Sequence, residues 1–135
     1  MSSRSLVCLD VGEKRIGVAV ADLSVRIAVP FDTVLTDGNE IEAIARIVEQ
    51  ERADTIVIGY PRNQSGEATA QTSYVEQFSK QLEDIAAKIV FQDESLTSVI
   101  AEQRLAAHKR PYTKADIDAQ AAAIILQDYL ELHHG

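Results

Sequence analysis

The chain has a single cysteine, Cys8, and lacks tryptophan. One cysteine excludes an internal disulfide and fits a reducing compartment such as the cytoplasm. Its place inside an apolar run makes it a packing residue. No apolar stretch approaches the roughly 20 residues needed to cross a bilayer, so no membrane partner is expected. The opening Met1-Ser2-Ser3-Arg4-Ser5 runs straight into an apolar segment and shows no signal-peptide pattern. Positive charge is also scarce: 13 Lys and Arg stand against 21 Asp and Glu, a net charge of −8. That balance excludes a passive, sequence-blind nucleic-acid coat, which would be basic. It does not exclude an enzyme that needs acids at its centre and bases only locally. Lys14 and Arg15 form one basic pair, and Lys109, Arg110 and Lys114 a looser group. A solvated charged face is the commoner explanation of such groups.

What is present is the composition of a globular chain. Hydrophobic content of 46% is ordinary, and 135 residues suffice to build a core without staples. One domain spanning 1–135 is expected. Apolar patterning predicts three strands first: Ser5 to Gly12, Arg15 to Asp22 and Arg26 to Leu35. Their short connections make them antiparallel, and Pro30 marks the third as an edge strand. A helix follows, with Asn39 as N-cap and Ile41, Ile44, Ala45 and Val48 on one face. Thr55 to Tyr60 is a strand that lies parallel to an earlier one, because a helix precedes it. After a polar loop from Pro61 to Gly66, a helix is predicted over Glu67 to Ala87 and a short strand over Lys88 to Gln92. Helices over Ser98 to Ala107 and Lys114 to Leu132 end the chain. The pattern is α/β: a mixed five-stranded sheet, three antiparallel strands and then two parallel, flanked by helices.

Against this pattern Asp10 is out of place. The run Leu6 to Gly12 is otherwise apolar and reads as a strand buried on both faces. An ionised carboxylate there is costly unless something pairs with it. Two readings stand: a bound cation beside the basic turn Glu13-Lys14-Arg15, or a hydrogen-bonded core aspartate. Asp93 and Glu94 follow the last strand, and either has the chemistry of a metal ligand. Thr113 and Asp116 make a capping pair for the final helix. Helical spacing then puts Asp118 on one stripe with Ala121, Ala122, Ile125 and Tyr129, beside alanines small enough to leave space. Like charges brought together need cations, as in two-metal phosphoryl-transfer sites, and oxygen ligands favour Mg²⁺ or Mn²⁺. Spacing alone does not bring Asp10, Glu94 and Asp118 together in space.

Four segments in register resemble the YqgF family, also called the RuvX type. They are Asp10 to Ala19, Gly59-Tyr60-Pro61 through Gly66, Asp93 to Thr97, and Asp118 to Leu126. The resemblance covers nearly the whole chain. It implies an RNase H-like fold and a metal-dependent nuclease acting in maturation of the 16S ribosomal RNA precursor. Cleavage of four-way DNA junctions is the family's alternative activity. It further implies that Asp10, Glu94 and Asp118 are the catalytic and metal-binding set, with Mg²⁺ or Mn²⁺ as cofactor. Lys14 and Arg15 would lie near the scissile phosphate. The implied partner is structured RNA or branched DNA; monomer and homodimer both remain open.

One position departs from the family, which usually carries Arg directly after the third-motif Glu. Here it is Ser95. A guanidinium grips phosphate with two parallel bonds and a hydroxyl does not. The grip on phosphate is then either weaker here or supplied by Arg62, Arg104 or Lys109. A binding module whose acids serve structure alone is a competing reading. An actin-like or sugar-kinase ATPase, suggested by Asp-x-Gly before a hairpin, would need a second related domain. Ser95→Arg is expected to raise affinity for RNA, measured in chelator so that no cleavage interferes. Equal affinity in both forms would mean that position 95 does not face the strand.

Overall fold

A computed structural model describes residues 4–61, 69–94, 97–108 and 111–133, with the side chains of 97–99 excepted. The strands are β1 (Ser5–Val11), β2 (Arg15–Asp22), β3 (Val29–Leu35), β4 (Ala53–Pro61) and β5 (Lys88–Glu94). The helices are α1 (Glu40–Glu51), α2 (Ala70–Lys80), α3 (Thr97–Ala107) and α4 (Lys114–His133). The sheet order is β3-β2-β1-β4-β5. β1 pairs antiparallel with β2 and β2 with β3, while β4 runs parallel to both β1 and β5. The mixed five-stranded α/β architecture read from the sequence is therefore present.

Alternation along the strands divides the core into two layers. Val7, Leu9, Val11, Ile16, Val18, Ile56 and Ile58 face α1 and α2, where Ile44, Val48, Val75 and Phe78 meet them. Leu6, Cys8, Ala19, Ala21 and Val57 face α4, packing on Ala122, Ile125, Leu126, Tyr129 and Leu130. The second layer is made of unusually small side chains, so α4 lies close on the sheet. The approach is tightest at Gly17. A Cβ there would stand 2.0 Å from the carbonyl oxygen of Asp118 and 3.0 Å from the nitrogen of Ala119.

Several boundaries differ from the sequence reading. β3 begins at Val29 rather than Arg26, because the β2–β3 connection is wider than expected and holds Arg26 at a positive φ of 61°. β3 is an edge strand, as Pro30 implied, and its register skips Phe31 between the Val18 and Ala19 pairs. α2 ends at Lys80, not Ala87. Beyond it the chain tightens into i to i−3 bonds, Gln81 N to Phe78 O, Leu82 N to Ser79 O and Ile85 N to Leu82 O. Leu82 and Ile85 still reach the core from these turns, which is why their spacing looked helical. Asn39 takes the N-cap position of α1 without a side-chain cap bond. The neighbouring acids serve the turn instead, with Asp37 Oδ1 accepting from Asn39 N and Glu40 Oε1 from Gly38 N. β5 runs on to Glu94, two residues past the expected end. Among the described residues no helix is long and apolar enough to cross a membrane.

Gly17→Ala is expected to cost about 3 kcal/mol or more, since the added methyl meets backbone that no side-chain rotation can clear. Urea unfolding measures it. A midpoint equal to that of the parent protein would mean that α4 does not press on β2 at this point.

Candidate active site

Asp10 is the sixth residue of β1, and alternation sends its side chain to the α4 face with Leu6 and Cys8. Its cross-strand partner on β2 is Gly17. On the β4 side the last recorded pair is Leu9 with Ile58, so the next residue, Gly59, lies abreast of Asp10. Asp10 thus has a glycine on either hand. Gly17 admits the backbone of α4, which brings Asp118 over the sheet. Gly59 admits the carboxyl of Glu94: a Cβ at 59 would stand 2.5 Å from Glu94 Oε2 and 2.8 Å from Ile125 Cδ1. An isolated glycine within a strand often marks such a close approach.

These placements crowd acids in a poorly solvated site. Burial raises the pKa of Asp10 from 3.8 to about 6, and the charge of Asp118 adds to the rise, while a hydrogen bond with Glu94 opposes it. Burial likewise raises Glu94 from 4.5 to about 8, reinforced by the charge of Asp10 and by the same hydrogen bond. Glu94 is therefore the partner that keeps the proton, and Asp10 the one that accepts it. The Oε2 atom of Glu94 is buried with no hydrogen-bond partner. Burial, then Asp10, then Glu94 push the Cys8 thiol well above its ordinary value, so it stays protonated and is no nucleophile.

Asp118 stands near the other two but is turned toward the basic turn. Arg15 Nε donates to its Oδ2 at 2.6 Å, the two side chains being 32% and 24% exposed. Among the described residues no three His, Cys, Asp or Glu side chains are yet close enough to enclose a metal ion. Asp10 and Glu94 fit a hard cation by chemistry, as adjacent carboxylates with one buried oxygen orphaned. Asp118 would join them by leaving Arg15.

The remaining residues singled out in the sequence separate clearly. Asp93 pairs with Tyr60 one register step before Glu94, so it faces the opposite side of the sheet and is exposed. Asp116 caps α4: its carboxylate accepts from Thr113 N at 2.9 Å, and its own N–H donates to Thr113 Oγ1. Lys14 is exposed in the β1–β2 turn, where its carbonyl accepts from Thr36 N. Arg104 is exposed on α3. Arg62, Ser95 and Lys109 lie outside the described residues.

Two contacts at the site's floor escaped the sequence reading. Gln71 Nε2 donates to the carbonyl of Val11 at 3.0 Å, and the Thr72 hydroxyl donates to that of Pro61. Both come from the first turn of α2 and tie down the ends of β1 and β4. No sequence signal marks them, because each bonds to backbone across the fold.

Comparison with known proteins agrees with this architecture. The family model RuvX, described as Holliday junction resolvase, matches residues 4–132. A relative from Chloroflexus aurantiacus is 40% identical over 136 residues, covering 97% of this chain and 89% of its own. One from Synechocystis is 40% identical over 129 residues, covering 92% and 85%. Both are named "Putative pre-16S rRNA nuclease". Among solved structures, Thermus thermophilus RuvC in complex with a Holliday junction superposes with a TM-score of 0.60 at 12% identity, covering 98% of this chain and 96% of that one. Fowlpox virus resolvase with its junction DNA gives 0.59 at 13% identity, covering 97% and 99%. Likeness at such identities shows the fold, which is RNase H-like. The match along nearly the whole length goes further: this chain belongs to the RuvX family.

Proposed function

We propose that this chain is a cytoplasmic nuclease, dependent on a divalent cation, that hydrolyses phosphodiester bonds of structured RNA during maturation of the 16S ribosomal RNA precursor. The observation that carries this reading is the half-buried Asp10–Glu94 pair with its orphaned Oε2, beside two glycines that let the α4 backbone and the Glu94 carboxyl come close. A fold gains no stability from crowding carboxyls where burial raises the pKa of both. Mg²⁺ or Mn²⁺ held by Asp10, Glu94 and Asp118 would supply charge neutralisation and an activated water. The names carried by the curated relatives support RNA as substrate. The family description supports a second reading, cleavage of four-way DNA junctions, so RNA and DNA belong in the same assay.

The chain's own groups have separate tasks in this scheme. Asp10, fixed on the central strand, sets the position of the scissile phosphate relative to the sheet. Glu94, protonated in the cation-free protein, would have to release that proton to solvent to serve as a cation ligand. Lys14 and Arg15, at the mouth of the site, position the nucleic-acid backbone, as basic side chains do. Arg62 and Lys109 complete the proposed substrate-binding set. The whole of 1–135 acts as one nuclease domain.

Asp10→Asn is expected to lower Mn²⁺-dependent cleavage of a pre-rRNA fragment by orders of magnitude while the circular dichroism spectrum is retained. Near-normal activity in the folded variant would refute the site.

The pair also predicts a pH dependence. Unfolded values of 3.8 and 4.5 rise to about 6 and about 8 on folding, so the folded state binds more protons than the unfolded chain. The pair's contribution to stability is fully present below about pH 4 and is lost as pH rises through 6 and 8. Removing one charge should relieve the loss. In chelator at pH 8, Asp10→Asn is expected to be the more stable form, by on the order of 1–3 kcal/mol, with the gain shrinking toward pH 4. Added Mg²⁺ should stabilise the parent protein more than the variant. If the parent is the more stable in chelator at pH 8 and indifferent to Mg²⁺, Asp10 is a satisfied core residue.

A further inference from the structure

Three carboxylates face one site, yet only two of them address each other. The third, Asp118, is bonded to Arg15 through Nε at 2.6 Å. Arg15 is the first residue of β2, two before Gly17, so alternation places it on the same α4 face as Asp10's neighbour. Asp118 is bound to it across the contact where α4 presses on the sheet. The bond uses one corner of the guanidinium. Among the described residues Asp118 is the one carboxylate within ion-pairing reach of Arg15. Both side chains keep access to solvent, so the pair can open without disturbing the core.

A guanidinium satisfies a phosphate at least as well as a carboxylate, by two parallel bonds. A backbone phosphate reaching Arg15 would compete directly with Asp118. From this geometry we propose that Arg15 is a latch: in the substrate-free protein it holds Asp118 out of the cation site, and a backbone phosphate, by taking Arg15, releases Asp118 to complete that site. The inference deepens the cation-dependent reading above and rests on it. It makes Arg15 a positioning residue, acting on the cation through Asp118. It also ties the two ligands together. Phosphate binding strengthens cation binding, and by thermodynamic linkage cation binding strengthens phosphate binding by the same factor. The latch would keep the protein from assembling a full site, and a reactive water, before substrate is present.

The test reads Mn²⁺ binding, not activity, by loss of the free aqueous Mn²⁺ signal in electron paramagnetic resonance. Four full-length proteins are compared: parent, Arg15→Gln, Asp118→Asn and the double variant, with Asp10→Asn as the background control. While latched, Asp118 contributes little to the cation, so Asp118→Asn alone should change Mn²⁺ affinity by less than about twofold. Arg15→Gln should tighten Mn²⁺ by about fivefold or more, and in that background Asp118→Asn should cost about fivefold or more. A second measurement follows a fluorescein-labelled RNA hairpin by anisotropy, in chelator and in Ca²⁺ at constant ionic strength. Ca²⁺ should tighten the parent's binding, and Arg15→Gln should lose most of that gain. An equal cost of Asp118→Asn with and without Arg15 overturns the latch and leaves the cation site standing. If no form takes up Mn²⁺ beyond the Asp10→Asn control, the cation reading falls and the latch falls with it. Should Arg15→Gln not fold, Arg15→Lys replaces it, because a flexible ammonium holds Asp118 less firmly. A cost of Asp118→Asn no greater in that background than in the parent overturns the proposal.

Discussion

The site depends on one close contact, between the backbone of α4 at Asp118 and the bare α-carbon of Gly17. Elsewhere in this layer side chains separate helix from sheet; here they do not. The approach follows from the residues on both sides of it, with Ala19 and Ala21 on β2 and Ala122 on α4 all buried. Small groups on both surfaces let the helix settle until backbone meets backbone. Asp118 then arrives within electrostatic reach of Asp10, Gly17's partner across the sheet. A larger residue at 17 would lift the start of α4 and take Asp118 with it. The same device appears on the other side of Asp10, where Gly59 leaves the space that the Glu94 carboxyl fills.

Bringing acids together in a dry place has a cost that the fold meets locally. Burial and the neighbouring charge of Asp10 push Glu94 up further than Asp10 itself, which favours a protonated Glu94 beside Asp10. Arg15 neutralises the third carboxylate. The thiol of Cys8 stays protonated chiefly because it is buried, and the two acids add to the effect. Each device lowers the negative charge that the site would otherwise carry. In a structural acidic cluster the carboxylates are satisfied by fixed donors. The orphaned Oε2 of Glu94 marks the difference.

The framework under the site is correspondingly rigid. β1 and β4 are central strands covered on both faces, and their C-terminal ends, beside the site, are tied by Gln71 and Thr72 from the first turn of α2. Asp10 and Gly59 therefore sit on backbone that has little freedom to move. Lys14 and Arg15, proposed above to position nucleic acid, stand instead in or beside the exposed β1–β2 turn.

Much of this was legible in residue order. Buried strands announce themselves by unbroken apolar runs, and the short connections among β1, β2 and β3 leave antiparallel pairing as the simple outcome. Asp10 stood out because its neighbours are apolar, and Asp118 because helical spacing set it on the alanine stripe. The edge position of β3 followed from Pro30, whose missing N–H a central strand would not tolerate. The end of α2 was not legible: Leu82 and Ile85 keep helical spacing while the backbone has already tightened into turns. Nor could spacing choose between Asp93 and Glu94. Adjacent residues on a strand face opposite sides, and which side meets Asp10 depends on the register of β5 against β4. Sequence by itself determined the element types, the mixed sheet and the acids that had no apolar reason to be there, because those follow from local periodicity and from the cost of burying charge. Only the tertiary structure decided that Glu94 shares a proton with Asp10 and that Asp118 is held by Arg15, because both are contacts across long chain separations, made where two glycines let backbone and carboxyl come close.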